Sequence, residues 1–101
     1  MGIEVQLRRE SGEVLATVSD PQMVLSRAAS LVFDDTKLMK YLVPWGNAVF
    51  NHSQASALRD DIRQLHATHA NTPLGDILEA LHPLVDRLAK ENHTYLWFIG
   101  D

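Results

Sequence analysis

The clearest alternation of apolar and polar residues lies near the start of the chain. From residue 3 to residue 8 every second residue is apolar, which is the pattern of a strand with one buried and one solvated face. A polar stretch that contains Gly12 follows, and the alternation resumes over residues 14–18. A glycine between two alternating segments is typical of a tight turn. The pattern therefore predicts an N-terminal hairpin.

A first helix is predicted after this hairpin. Asp20 followed by Pro21 is a helix N-cap with proline in the first turn. Apolar residues at helical spacing continue from Met23 to Leu31, and residues 33–36 interrupt them. We expect two or three helical turns.

The middle of the chain predicts a second hairpin. Residues 37–43 mix β-branched, aromatic and long apolar side chains, residues 44–47 are rich in turn formers, and residues 48–50 are again β-prone. The helix propensity of Leu38 and Met39 leaves a helix as the alternative for the first arm of this hairpin.

Two longer helices follow. Beyond Ser53, apolar residues recur at spacings of three and four, which predicts one apolar stripe turned inward. Thr72 and Pro73 repeat the cap-plus-proline signal, and a third helical stripe runs from there to near Lys90. Pro83 lies inside this third helix and cannot donate a backbone hydrogen bond, so we expect a kink or two consecutive helices.

The segment with the strongest strand composition closes the chain. Residues 94–99 have no polar face, since Leu96 and Phe98 point one way and the other three apolar residues point the opposite way. The segments together predict an α+β fold. We expect a mostly antiparallel sheet of about five strands, in the order β-β-α-β-β-α-α-β, with the two longer helices packed on one face.

Length and composition indicate one domain over residues 1–101. A hydrophobic share of 46% and a charged share of 22% are ordinary for a globular protein, so the whole chain should fold. There is no cysteine, which excludes disulfide scaffolds and thiolate chemistry. The start has no basic segment followed by an apolar run, and no stretch has the length of a membrane span. We expect a cytoplasmic protein that does not bind membranes.

The charge balance argues against a nucleic-acid partner. The formal net charge is −4, and only Arg8 and Arg9 are adjacent basic residues, whereas binding to phosphates requires clustered positive charge. An acidic domain can bind a basic partner, but solubility alone also favours a charge of this size.

Metal and cofactor sites are not predicted. His66 and His69 are three residues apart on the second predicted helix and share a face, but two ligands do not make a site. A third ligand would have to come from His82 or from a carboxylate. The sequence has no phosphate-binding glycine-rich loop or dinucleotide motif, so we expect no cofactor and no metal.

Catalytic residues are not predicted either. The pairs at residues 34–35 and 60–61 are adjacent aspartates, and neighbouring residues on a helix point about 100° apart, so neither pair needs to share a proton. Asp60 and Asp61 fall in the early turns of a helix, where we expect both to be solvated. No Gly-x-Ser-x-Gly motif is present. The sequence therefore favours a protein that is not an enzyme.

The last strand suggests a binding face. If both long helices cover one side of the sheet, the other side carries an apolar patch from the last strand and the strand predicted over residues 37–43, and exposed patches of this kind mark interfaces. The alternative is that the first helix covers this side. Trp45 lies in the turn before residue 48, where its ring either anchors a partner or folds back onto the core. The predicted interface residues are Tyr41, Trp45, Tyr95, Trp97 and Ile99.

Two functions follow from these observations. The first is a non-enzymatic protein-binding or homodimerising domain that uses its aromatic sheet face, against a second copy or against another protein such as a basic one. The alternative is a small enzyme or ligand-binding protein with a pocket between the sheet and the third helix. That pocket would use His82 or His93 together with Tyr41.

Overall fold

The structure is a computed structural model that describes residues 2–29 and 31–100. These residues form an α+β fold, as the sequence predicts. The strands are β1 (Glu4–Arg9), β2 (Val14–Val18), β3 (Asn47–Asn51) and β4 (Thr94–Ile99), and the α-helices are α1 (Val24–Ala29), α2 (Ala55–His69) and α3 (Pro73–Lys90). Short 3-10 helices cover Phe33–Asp35, Met39–Tyr41 and His52–Gln54.

The four strands make one antiparallel sheet in the order β2-β1-β4-β3. The predicted N-terminal hairpin is confirmed, because β1 pairs with β2. The strongly apolar strand β4 lies between β1 and β3, which places it in the interior of the sheet. On one face of the sheet Val5 lies opposite Phe98, and Leu96 lies between Leu7 and Phe50.

The hydrophobic core lies between this face and the helices. Val5, Leu7, Leu96 and Phe98 are almost completely buried, and α3 contacts β1, β2 and β4 on this side while α2 packs along α3. Burial of each large apolar side chain contributes about 1.5–3 kcal/mol to folding. The helix α1 packs beside α3, so the alternative in which the first helix covers the opposite face of the sheet is wrong.

The helices begin and end close to their predicted positions, with two differences. The carboxylate of Asp20 caps α1 as expected, accepting from the N–H groups of Val24 and Leu25 over 2.9 and 2.7 Å, but the helix begins only at Val24. The helix α3 is continuous through Pro83, so the alternative of two consecutive helices is wrong. None of the helices that the structure describes is long and apolar enough to cross a membrane.

The strand predicted over residues 37–43 is wrong, and Asp61 gives the reason. The Asp61 carboxylate accepts hydrogen bonds from the backbone N–H groups of Lys37, Leu38 and Met39 over 2.8, 2.8 and 3.1 Å. N–H groups engaged in this way cannot donate to a neighbouring strand. The segment therefore folds against α2 and continues as the 3-10 helix Met39–Tyr41, and the sheet has four strands where about five were expected.

The two neighbouring aspartates of α2 have different environments. Asp61 is completely buried, so the expectation that it is solvated is wrong. Asp60 is half-exposed and accepts a hydrogen bond from Lys37 Nζ over 2.8 Å. This hydrogen bond holds the pKa of Asp60 below its usual value. The hydrogen bond between Asp60 and Lys37 contributes its full stability above the pKa that Asp60 has in the unfolded chain. This contribution is lost as the pH falls through the lowered pKa of Asp60 in the folded protein.

Replacing Asp61 with alanine should destabilise the fold strongly. The Asp61→Ala change leaves three buried or half-buried N–H groups without an acceptor, and we expect the free energy of unfolding to fall by at least about 3 kcal/mol. Urea unfolding followed by circular dichroism measures this loss. Asp60→Ala is the matched control, because it removes only an exposed ion pair and should have a much smaller effect. Equal losses in both variants would contradict the role of Asp61.

Candidate functional site

The second face of the sheet carries no helix among the described elements, and we call it the open face. Along β4, Leu96 and Phe98 are buried on the core side of the sheet. Tyr95, Trp97 and Ile99 alternate with them and are half-exposed on the other side. Side chains of the other strands that alternate in the same way complete the face. The open face consists of Glu4, Gln6 and Arg8 from β1, Val14 and Thr17 from β2, Asn47, Val49 and Asn51 from β3, and Tyr95, Trp97 and Ile99 from β4.

The register of the strands places an apolar line along the middle of the open face. Trp97 lies between Gln6 of β1 and Val49 of β3. Tyr95 and Ile99 lie on either side of Trp97 along the same strand. Because β4 pairs on both edges, these side chains project from a backbone whose position is fixed by two neighbours. The open face therefore has a rigid aromatic centre.

A chain of polar contacts borders this centre on β1. The guanidinium of Arg8 lies 4.4 Å from the centroid of the Trp97 ring, in a cation–π contact. Arg8 Nε donates to Gln6 Oε1 over 2.8 Å, and Gln6 Nε2 donates to Glu4 Oε2 over 2.5 Å. One acid and one base are thus joined through Gln6, and the open face carries no net charge.

The open face has an apolar centre and a polar border without net charge. Its centre is aromatic and aliphatic, and the net charge of −4 comes from residues elsewhere. Aromatic residues that are held rigidly and surrounded by polar groups are typical of binding hot spots, because their burial releases water at little cost in side-chain entropy. The open face is therefore suited to an uncharged, apolar partner surface.

Two of the predicted interface residues lie outside the sheet. Tyr41 is 62% exposed at the end of the 3-10 helix Met39–Tyr41, so its expected place on the sheet face is wrong, and its role as an interface residue stays a prediction. Trp45 is 76% exposed, so the alternative in which it folds back onto the core is wrong. Its turn contacts the end of β4, where Gly100 N–H donates to Gly46 C=O over 2.8 Å.

The histidines are engaged with separate partners. His66 Nε2 lies 3.0 Å from Glu79 Oε1, and His69 Nδ1 lies 2.9 Å from the Leu65 carbonyl oxygen. His82 Nδ1 lies 3.3 Å from a carboxylate oxygen of α3. Over residues 2–29 and 31–100, no three histidine, cysteine, aspartate or glutamate side chains lie together as a metal ion would require.

The surface cavities do not match the predicted pocket. A cavity of about 540 Å³ lies between α2 and α3 and is lined by four polar residues, Arg63, His66, Glu79 and His82, together with apolar ones. It is not between the sheet and α3. None of five cavities lined by described residues includes two of His82, His93 and Tyr41. His93 is paired with a glutamate of the first hairpin at 3.5 Å.

Sequence reasoning does not identify Val49 as part of the site, nor the contact of Arg8 with the ring of Trp97. The alternation along β3 is a signal that could have located Val49, since Asn47, Val49 and Asn51 alternate with two apolar residues. The contact of Arg8 with Trp97 depends on the pairing of β1 with β4, the first and last strands of the chain. Such a pairing cannot be obtained from local patterns.

Comparison of this chain with protein-family models, with curated proteins and with solved structures finds no match.

The open face should contribute less to folding than the core face of the same strand. Leu96→Ala should reduce the free energy of unfolding by about 2–5 kcal/mol, because it leaves a cavity in the core. Trp97→Thr should cost less than half as much, since the Trp97 side chain is half-exposed and threonine suits a strand. Urea unfolding of both variants measures the difference. An equal loss would show that Trp97 serves mainly to hold the fold together.

Proposed function

We propose that this chain is a non-enzymatic protein-binding domain and that the open face is its binding surface. Trp97 is the central anchor, with Tyr95 and Ile99 beside it and the guanidinium of Arg8 over its ring. The partner is another protein chain, either a second copy or a different protein.

The observation that carries this proposal is the position of β4. A strand that is apolar on both faces needs apolar neighbours on both faces, yet the helices pack on one face. Trp97 remains half-exposed, with the guanidinium of Arg8 4.4 Å from the centroid of its ring. Exposed patches of this kind, bordered by polar residues, mark protein interfaces. The missing neighbour of β4 is supplied when a partner binds.

The neutrality of the open face determines the kind of partner it suits. Glu4 and Arg8 are joined to each other through Gln6, so neither is a free charge for long-range attraction. Binding here depends on apolar burial and shape, with little electrostatic steering. A partner with an uncharged, apolar contact surface fits the open face better than a strongly basic one.

A peptide-display selection tests the proposal without a known partner. A random peptide library is selected on the immobilised wild-type protein, since peptides bind preferentially where binding hot spots already exist. We expect most recovered peptides to bind the Trp97→Thr variant at least about tenfold more weakly, because the central anchor is lost. Fluorescence polarisation of the labelled peptides measures the affinities.

Two control variants make this test specific. Leu31→Ser removes an apolar residue that is 80% exposed and lies outside the sheet, and it should leave peptide binding unchanged. Ala67→Trp fills the cavity between α2 and α3 and should also have no effect. Peptides that ignore Trp97 but lose affinity for the Ala67→Trp variant would contradict the proposal and favour a ligand site between the helices.

A further inference from the structure

The sheet has two edge strands, and they differ in how they are protected. β2 forms one edge and β3 the other. In β2, Leu15 is an extra residue between the partners of Leu7 and Arg8, so this edge carries a bulge. A bulge interrupts the regular row of backbone groups that an added strand would need. β3 keeps an unbroken register with β4 along its whole length.

The pairing with β4 determines which backbone groups of β3 face outward. Gly100 N–H donates to Gly46 C=O over 2.8 Å, so these two residues form a hydrogen-bonded pair that extends the β3–β4 register by one residue. Hydrogen-bonded and non-hydrogen-bonded pairs alternate along an antiparallel ladder. Val49 is three residues from Gly46 and belongs to a non-hydrogen-bonded pair. The N–H and C=O groups of Val49 therefore point away from β4, in the plane of the sheet.

Asn51 supports this assignment. It lies two residues after Val49, and its N–H bonds to Gln54 Oε1 over 2.9 Å instead of to β4. No residue in the described part of the chain bonds to the backbone of Val49 at this outer edge. Val49 is 42% exposed. The edge thus offers one donor and one acceptor at the centre of β3.

The sequence of β3 is symmetric about Val49. It reads Asn-Ala-Val-Phe-Asn, with an asparagine two residues before and two residues after the centre. In an antiparallel pairing with a second copy, Val49 faces the partner's Val49 and Asn47 faces the partner's Asn51. Ala48 then lies opposite the partner's Phe50, so a small residue accompanies a large one on the core side. Such a strand is complementary to itself under a twofold axis.

β3 also lacks the features that prevent edge pairing. It has no charged residue and no proline, and these are the usual protections of an exposed edge. Two copies therefore bring no like charges together along the strand. The turn that leads into β3 carries Trp45, which is 76% exposed and lies at one end of the unprotected edge.

We propose that two copies of this chain pair antiparallel through β3, about a twofold axis at Val49. The two four-stranded sheets then form one continuous sheet, held at its centre by two hydrogen bonds between the Val49 residues. This pairing uses the edge of β3 and does not depend on what the open face binds.

The pairing enlarges the open face. Four strands about 4.8 Å apart, with about five residues of about 3.3 Å each, span a flat area of roughly 320 Å². A standard protein interface buries about 800 Å² on each partner. Joining two open faces edge to edge doubles the area and places the side chains of Val49 and Trp97 from both copies in one row.

Sedimentation velocity across a concentration series tests the pairing. We expect the wild-type chain to dimerise, and Val49→Lys to raise the dissociation constant at least about tenfold, because two ammonium groups would meet at the axis. Leu31→Lys is the control, since Leu31 is 80% exposed and lies outside the sheet and the open face. It introduces the same charge away from β3 and should change the dissociation constant by less than about twofold.

Amide hydrogen exchange gives a second readout that does not need a variant. Exchange of the wild-type Val49 amide should become slower as dimer forms, because this N–H acquires an acceptor. A chain that stays monomeric up to about 1 mM would overturn the proposal. So would equal weakening by the two lysine variants, or a dimer in which Val49 exchanges at the same rate as in the monomer. A dimer in which the Val49 amide exchanges as in the monomer, and which the Trp97→Thr change dissociates, would be a face-to-face pair. That result would support the binding role of the open face and overturn only the pairing through β3.

Discussion

The carboxylate of Asp61 accepts hydrogen bonds from three consecutive backbone N–H groups, those of Lys37, Leu38 and Met39, and this contact determines where the sheet ends. N–H groups that bind a carboxylate cannot also complete a strand ladder. The segment is therefore held against α2, and β3 has a neighbour on one side only. The exposed edge at Val49 and the width of the open face both follow from the hydrogen bonds of this one buried side chain.

Much of the fold could be predicted because its signals are local. The alternation in β1 and β2, the apolar stripes of α2 and α3 and the composition of β4 each lie within a single segment, and these five elements are present. The error over residues 37–43 has a different origin. Their composition suits a strand, but the carboxylate that captures them lies more than twenty residues later in the chain. Local propensity contains no information about a contact at that distance, so tertiary context determines the secondary structure of such a segment.

The candidate site could be predicted only in part, for a related reason. The absence of a polar face in β4 is visible in the sequence and locates Tyr95, Trp97 and Ile99. Whether a helix covers them depends on packing, and the exposure of Trp45 depends on how its turn meets the end of β4. The contact of Arg8 with Trp97 joins opposite ends of the chain. These features become visible only when the strand order β2-β1-β4-β3 is known.

The open face and the edge of β3 share one element of support, the end of β4. A Cβ atom on Gly100 would come within 2.7 Å of the Pro44 carbonyl oxygen and closer still to that of Gly46, so only glycine permits this approach. The close contact positions the turn that carries Trp45 and directs the chain into β3 in register with β4. A side chain at Gly100 would push the turn away and disturb that register. Because a preorganised surface loses little entropy on binding, the rigidity that Gly100 allows at this corner favours both the exposed aromatic residues and the unpaired strand edge as contact surfaces.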